Sequence, residues 1–289
     1  TLTKYPTEFL KVQINGKAVK KRVNLLWPKF NPTNLPSAPS NGTYIVDLHE
    51  DVLKTLPNDH PRRIVIRSDR IISPSTSSRL LALWDTMLAA GLKLPDERVG
   101  NRSVDTSLHV GTWHLSARQP MITKDTRQED PHLRHLMGKF VSIIRDEVAP
   151  AIAKLQKLWC SATWKKLQRA RQYVKARVRD PHGQWPLVDF GGAFFAVAVK
   201  EGSSEIPHID FNDHPLSMTW LVALGDWEGA EFSLPQIGCN IPVRPGQALG
   251  AMTRRLVHCG TPVTEGRRLV LTMFTDNTLI KHSEASTSS

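Results

Sequence analysis

A chain of 289 residues, 40% hydrophobic and 22% charged, has the material for a large core, since at this size about 75% of the unfolded surface is buried on folding. These proportions exclude a disordered chain, and no apolar run approaches the ~18 residues of a membrane span, so no membrane partner is expected. Three cysteines without a Cys-x-x-Cys pair, Cys160, Cys239 and Cys259, exclude a disulfide scaffold and favour a reducing compartment. The 38 Lys and Arg against 27 Asp and Glu leave a charge of +11, which suits a polyanionic partner.

In chain order, Pro6, Pro28, Pro32, Pro36 and Pro39 interrupt the first forty residues too often for long elements, and an extended arm is predicted. Lys17, Lys20, Lys21 and Arg22 fit a nuclear-import cluster, hence an expected nuclear location, or an ordinary solvated face. Thr43–Asp47 and Arg63–Arg67 read as short strands around a helical turn. Ser77–Ala90 has helical spacing, with a Ser start and Gly91 as its stop. Residues 1–130 are thus expected to form an arm and an α/β extension of the core.

Residues 131–181 are predicted helical, divided into two helices at Pro150, which lacks the N–H a helix interior needs. The second runs through WKKLQRARQYVKARVRD, where Lys165, Lys166, Arg169, Arg171, Lys175, Arg177 and Arg179 stand with no acid among them until its last residue. Lys165, Lys166 and Arg169 are candidate contacts to a nucleic-acid backbone, the alternative being a solvated face. From 182 to 280 short apolar runs alternate with Gly, Pro, Asn and Asp, the texture of an all-β sandwich or barrel. Residues 281–289 are expected to be a disordered tail.

Within the β-rich region, EIPHIDFND places His208 and Asp210 two residues apart, so on a strand both point to one face. Chance supplies such triplets in a chain with 11 His, and His49-Glu50-Asp51 is a second match. The first match is distinguished by its sequel. His258 follows fifty residues on, at the end of a strand, and Gly266 then marks a turn before Arg268 opens the next. Two imidazoles and one carboxylate on one face of an octahedron leave three positions open, the donor set of non-heme Fe(II) oxygenases. A guanidinium beyond the distal His suits a bidentate grip on a carboxylate such as that of 2-oxoglutarate. The rival triplet is followed by His109 and Arg118 but lacks the flanking strands and the turn.

Through His208, Asp210, His258 and the Gly266-Arg267-Arg268 turn, the segment from about 191 to 280 resembles the double-stranded β-helix of Fe(II)- and 2-oxoglutarate-dependent dioxygenases. HIDFND, the stretch LVALGDWEGAEFSLPQIGCNIPVRPGQAL and DFGGAFFAVAV are similar, more narrowly, to the TET/JBP branch of base oxygenases and its basidiomycete TET-like members. The resemblance implies an α+β fold, a jelly-roll core over 182–280 flanked by N-terminal helices. It also implies Fe(II), 2-oxoglutarate and O2 as cofactors, and a monomer acting on methylated bases in double-stranded DNA. The expected reaction is oxidation of 5-methylcytosine to its hydroxymethyl, formyl and carboxyl forms.

A base inside a duplex cannot reach a buried iron and must be flipped out, at a cost of a few kcal/mol. Asp213 matches a position where the family sets an acid against the exocyclic amine of that base, and equally fits a turn-stabilising Asp. Where a His is expected to contact the base, this chain carries Asp276 and Asn277. An acceptor in that place admits N6-methyladenine as a second substrate, with demethylation as the outcome. The alternatives are a prolyl or lysyl protein hydroxylase, a small-molecule oxygenase, or a catalytically inert DNA-binding module. Prolyl hydroxylases usually carry Lys after the distal His, and RRLVLTMF lacks the Arg-x-Asn-x-Thr-x-x-Arg run of AlkB-type repair enzymes.

Overall fold

The structure, a computed structural model, describes residues 10–14, 17–21, 34–94, 107–114 and 119–286. Its strands are β1 (Leu10–Ile14), β2 (Lys17–Lys21), β3 (Tyr44–Leu48), β4 (Arg63–Arg70), β5 (Leu108–Trp113), β6 (Met121–Ile122) and β7 (Ala196–Glu201). They continue with β8 (Thr219–Gly229), β9 (Phe232–Leu234), β10 (Cys239–Ile241), β11 (Gln247–Ala251), β12 (Cys259–Gly260) and β13 (Val263–Phe274). Ten form one sheet in the order β2-β1-β3-β4-β11-β8-β13-β7-β5-β6, and three form a second, β10-β9-β12. Every pairing between these strands is antiparallel, with isolated parallel bridges at Ser37–Asn240 and Met121–Arg179. Together with the helices this is an α+β fold with a jelly-roll core.

The arm expected over the first forty residues contains the paired strands β1 and β2, with β1 added to β3 at the sheet edge. Of the basic cluster, Lys17, Lys20 and Lys21 fall in β2, and Arg22 lies outside the described residues. The long axis of the sheet is set by β8 and β13, which pair from Val263–Gly229 to Met273–Trp220. Gly225 makes this close approach possible, because a Cβ there would stand 2.3 Å from the Arg267 carbonyl oxygen and its φ is +112°.

The helices are α1 (Glu50–Leu53), α2 (Pro74–Ala89), α3 (Pro131–Ile143), α4 (Ala149–Trp159), α5 (Ser161–Arg177), α6 (Trp185–Val188) and α7 (Asn277–Ala285). Helix α2 starts three residues before the predicted Ser77, because the Ser73 hydroxyl accepts the Thr76 N–H at 3.0 Å and Pro74 fits the first turn. Leu80, Trp84 and Met87 of α2 and Leu133, Leu136, Met137, Phe140 and Val141 of α3 recur at helical spacing and are buried in one core. Each such side chain contributes roughly 1.5–3 kcal/mol on burial. That core also takes Val197 and Val199 of β7, Trp220, Val222 and Leu224 of β8, and Leu269, Leu271 and Met273 of β13.

Two predicted boundaries are corrected. Pro150 does not separate helices: α3 passes through a π turn at 144–148 into α4, and the wider turn ahead of Pro150 accommodates its missing N–H. The break falls instead at Cys160, whose φ of −136° and ψ of 46° leave the helical region. The expected tail over 281–289 is also shortened, since residues 281–285 belong to α7. Asp276 caps that helix by accepting the Leu279 N–H at 2.7 Å, and Leu279 and Ile280 are buried against Leu167, Ala170 and Val174 of α5. Residues 287–289 lie outside the described residues.

Candidate metal centre

His208 and His258 form an isolated antiparallel bridge, each backbone N–H donating to the other's carbonyl at 2.9 and 3.0 Å. Asp210 N–H donates to the Thr253 carbonyl at 3.1 Å, which ties its irregular segment to the stretch ahead of His258; the strand expected under His208 and Asp210 is reduced to that one bridge. The three side chains converge: Asp210 Oδ1 lies 3.8 Å from His208 Nε2, and Asp210 Oδ2 lies 3.4 Å from His258 Nε2. Their donor atoms all fall within 4.8 Å of one another, the one such group of His, Cys, Asp and Glu among the described residues.

The tautomers are set by the backbone. His208 Nδ1 pairs with the Ile206 carbonyl at 2.7 Å and His258 Nδ1 with the Leu256 carbonyl at 3.0 Å. A carbonyl only accepts, so each Nδ1 carries the proton and each Nε2 lone pair is directed toward Asp210, the outer-shell support a metal-binding imidazole needs. Phe232 stacks on His258 with ring centroids 5.3 Å apart.

The triad opens into a cleft of about 1650 Å³ lined by both sheets. Strand periodicity explains its walls: Arg268, Val270, Thr272 and Phe274 of β13, Thr219 and Leu221 of β8, and Ala198 and Lys200 of β7 all face it. Arg268 is 5% exposed, and its Nη1 donates to the Gly202 carbonyl at 2.9 Å. Its Nε is buried with no hydrogen-bond partner, and no carboxylate pairs with it among the described residues. Burial pushes the guanidinium down to about 10. Ser203 Oγ is a second orphaned polar atom in the lining. A buried guanidinium that faces the cleft and pairs with no carboxylate among the described residues fits the carboxylate of a keto diacid, and the His-Asp-His set fits a divalent iron.

Asp213 also lines the cleft and is 8% exposed. Its Oδ2 accepts from Thr219 at 2.6 Å, and Thr253 donates to the Thr219 hydroxyl at 2.8 Å. Burial, then the Asp210 charge, push Asp213 up to about 7 against the Thr219 hydrogen bond. Asp276 lines the cleft as well, but both its oxygens are engaged, Oδ1 by Leu279 N–H and Oδ2 by His114 N–H at 2.9 Å. Burial raises its carboxyl above the usual range. Asn277 opens α7, its N–H donating to the Asn212 carbonyl at 2.8 Å, and is not part of the lining.

The basic helix lies apart from the cleft walls. Lys165 and Arg169 are exposed, whereas Lys166 is paired with Asp59 at 2.8 Å and Glu284 at 3.3 Å. The start of α5 nonetheless touches the loop that follows the ligands, through Thr163 Oγ1 donating to the Leu216 carbonyl at 2.9 Å. The rival set does not assemble as read: His49 caps α1, and Arg118 lies outside the described residues. His109 does line the cleft, beside Trp113, together with the exposed cations Lys93, Lys124, Arg127 and Arg134. Sequence reasoning named His109 only within the rival set and missed the others. The alternation of LHVGTW was the one available signal for β5.

The two sheets and the cleft between them define a jelly-roll fold with a candidate metal site at its mouth. Among solved structures the chain is similar to NgTET1 in complex with 5mC DNA, at 16% identity and a TM-score of 0.57, over 78% of this chain and 80% of that one. More distant likenesses are the viral collagen prolyl hydroxylase vCPH from Paramecium Bursaria Chlorella virus-1 in its 2OG complex (13% identity, TM-score 0.38, 73% of this chain and 94% of that one), and JOX2 in complex with 2OG, Fe and JA (10%, 0.43, 73% and 67%). By sequence, no family description and no curated protein matches. The likeness to NgTET1 establishes a shared fold.

Proposed function

We propose that the chain is an Fe(II)- and 2-oxoglutarate-dependent dioxygenase that oxidises the methyl group of a methylated base flipped from duplex DNA. The observation that carries this reading is one chamber holding the His208, Asp210 and His258 donors together with a buried guanidinium, Arg268, that pairs with no carboxylate among the described residues. The fold neighbour NgTET1 is in complex with 5mC DNA, which supports 5-methylcytosine as the first substrate, with N6-methyladenine second. The narrower likeness to basidiomycete TET-like proteins rests on the sequence stretches alone. A monomer in the nucleus goes with this substrate.

His208, Asp210 and His258 would hold the iron through Nε2, Oδ and Nε2, and Arg268 would hold the distal carboxylate of 2-oxoglutarate. Bound there, iron and 2-oxoglutarate supply the oxidation of a C–H bond by O2, with succinate and carbon dioxide as co-products. The Ile206 and Leu256 carbonyls keep both imidazoles in the tautomer that binds. Phe232 covers one face of His258 and excludes water from it. Asp213, which lines the cleft and is held by Thr219 and Thr253, would meet the amine edge of a flipped base. Asp276, in the lining but with both oxygens taken by the Leu279 and His114 N–H groups, and Asn277, outside the lining, are weaker candidates for base contact than Asp213. Lys165, Arg169 and, within its ion pairs, Lys166 would meet the phosphates.

The test is mass spectrometry of duplexes bearing 5-methylcytosine, N6-methyladenine or thymine after incubation with the protein, Fe(II), ascorbate and 2-oxoglutarate. A product heavier by one oxygen atom on the cytosine, with matching succinate, is expected. Succinate formed equally with unmethylated duplex, and no change in any base, would remove DNA as the substrate.

A further inference from the structure

Four large hydrophobic side chains are exposed among the described residues: Leu88, Leu158, Ile206 and Phe211. Two of them flank the metal ligands. Ile206, 50% exposed, stands two residues before His208, and Phe211, 64% exposed, follows Asp210 directly. Scattered apolar residues on a surface need no explanation; a benzyl ring held in water beside the ligands of a candidate metal does.

Phe211 is not loose. Asp210 N–H donates to the Thr253 carbonyl at 3.1 Å, Phe211 N–H to the Ile209 carbonyl at 3.0 Å and Asp213 N–H to the Asp210 carbonyl at 3.1 Å, so the backbone on both sides is tied down. Asp210 and Asn212 line the cleft while Phe211 does not, which places the ring on the rim. The Arg254 guanidinium carbon lies 5.1 Å from the ring centroid, and Arg254 Nη1 is buried without a hydrogen-bond partner. The loop continues to Leu216, where α5 docks through Thr163, and exposed Lys165 and Arg169 follow within two turns.

A rigid aromatic at the mouth, a cation against it and further cations on the helix that docks on the same loop match one occupant in chemistry. When a nucleotide leaves the helix, its neighbours lose a stacking face, and apolar wedges inserted at a base step restore part of that contact while nearby cations meet phosphate. We propose that Phe211 enters the space vacated by the flipped nucleotide in duplex DNA, backed by Arg254. This rests on the reading of the site as one that acts on a flipped base.

The experiment pairs turnover on a methylated duplex and on the same single strand with fluorescence of 2-aminopurine placed beside the methylated base, which reports unstacking without any oxidation. Phe211→Ala is expected to lower the duplex-to-single-strand turnover ratio at least about tenfold and to abolish most of the fluorescence rise on binding. Phe211→Trp should keep both near the unaltered values, and Arg254→Gln should lower the ratio about threefold. Equal losses on both substrates would make the ring part of the base pocket or of loop support, and an unchanged ratio would make it a bystander; either overturns the proposal. If the unaltered protein oxidises neither strand, the substrate reading fails, and the fluorescence still decides the wedge: a rise lost in Phe211→Ala supports it, and no rise overturns it.

Discussion

His208 and His258 hold each other through their backbones, with reciprocal N–H to carbonyl bonds of 2.9 and 3.0 Å, and neither bond involves an imidazole. The site is therefore built by the fold rather than by an ion, unlike small domains that fold only around their metal. We expect His208→Ala or Asp210→Ala to lower affinity for Fe(II) or Mn(II) by about 100-fold or more, with the metal-free melting temperature within about 3 °C of the unaltered chain. Calorimetry and thermal melts check this. Loss of cooperative melting in the Ala variants would show that the side chains hold the strands together.

Arg268 carries a buried charge that no carboxylate among the described residues meets, which is costly in a dry site. Arg268→Met is expected to stabilise the ligand-free protein by about 1 kcal/mol while weakening 2-oxoglutarate binding at least about tenfold. A less stable variant would mean that the guanidinium is already satisfied. Unchanged affinity would remove it from the cosubstrate site.

Asp276 is a helix cap whatever else it does. Asp276→Ala should cost about 1–2 kcal/mol of stability, measured by denaturant melts, and Asp276→Asn about 1 kcal/mol, because its amide keeps one acceptor and turns a donor onto the N–H of Leu279 or His114. A change in base preference in the Asn variant larger than its loss of stability accounts for would give the residue its second role. If the Ala variant is as stable as the unaltered chain, the cap carries nothing.

The basic helix divides by environment. Lys165→Gln with Arg169→Gln is expected to weaken DNA binding on all sequences alike and to reduce the salt slope by about 2, at unchanged melting temperature. Lys166→Gln leaves Asp59 and Glu284 without their shared partner and should cost up to about 1 kcal/mol. An unchanged slope in the double variant takes the helix out of the interface.

His214 is held down to about 4 by burial and by the charges of Lys166 and Arg255. Its unfolded form titrates near 6.5, so between those values the unfolded chain binds the extra proton. The stability contributed by the neutral ring is complete above about 6.5 and is lost as pH falls through about 4. His214→Asn should flatten the decline of melting temperature over that window. A decline of the same steepness would assign it to other groups.

The candidate ligands and Arg268 were legible because their information is local, two residues of spacing and a guanidinium ten residues beyond the distal His, although the strand expected under His208 and Asp210 is a single bridge and the turn expected at Gly266 lies inside β13. The orphaned state of Arg268 was not, since it depends on which acids the fold leaves out of reach. Lys166 reads as one more cation in a basic run, and only the fold brings Asp59 and Glu284 to it. The Asp-Asn-Thr-Leu start of α7 carried a cap signal, hidden by the polar residues that follow. The pairing of β4 with β11, Arg67 against Leu249, joins segments too distant for any periodicity to announce.

Along β7, β8 and β13 consecutive residues serve different masters: Val199, Trp220 and Leu271 support the framework, whereas Lys200, Leu221 and Thr272 shape the chamber. Substitutions confined to the second set would recut the space offered to a guest while sparing most of what keeps the protein folded. Such a scaffold can change its diet one residue at a time.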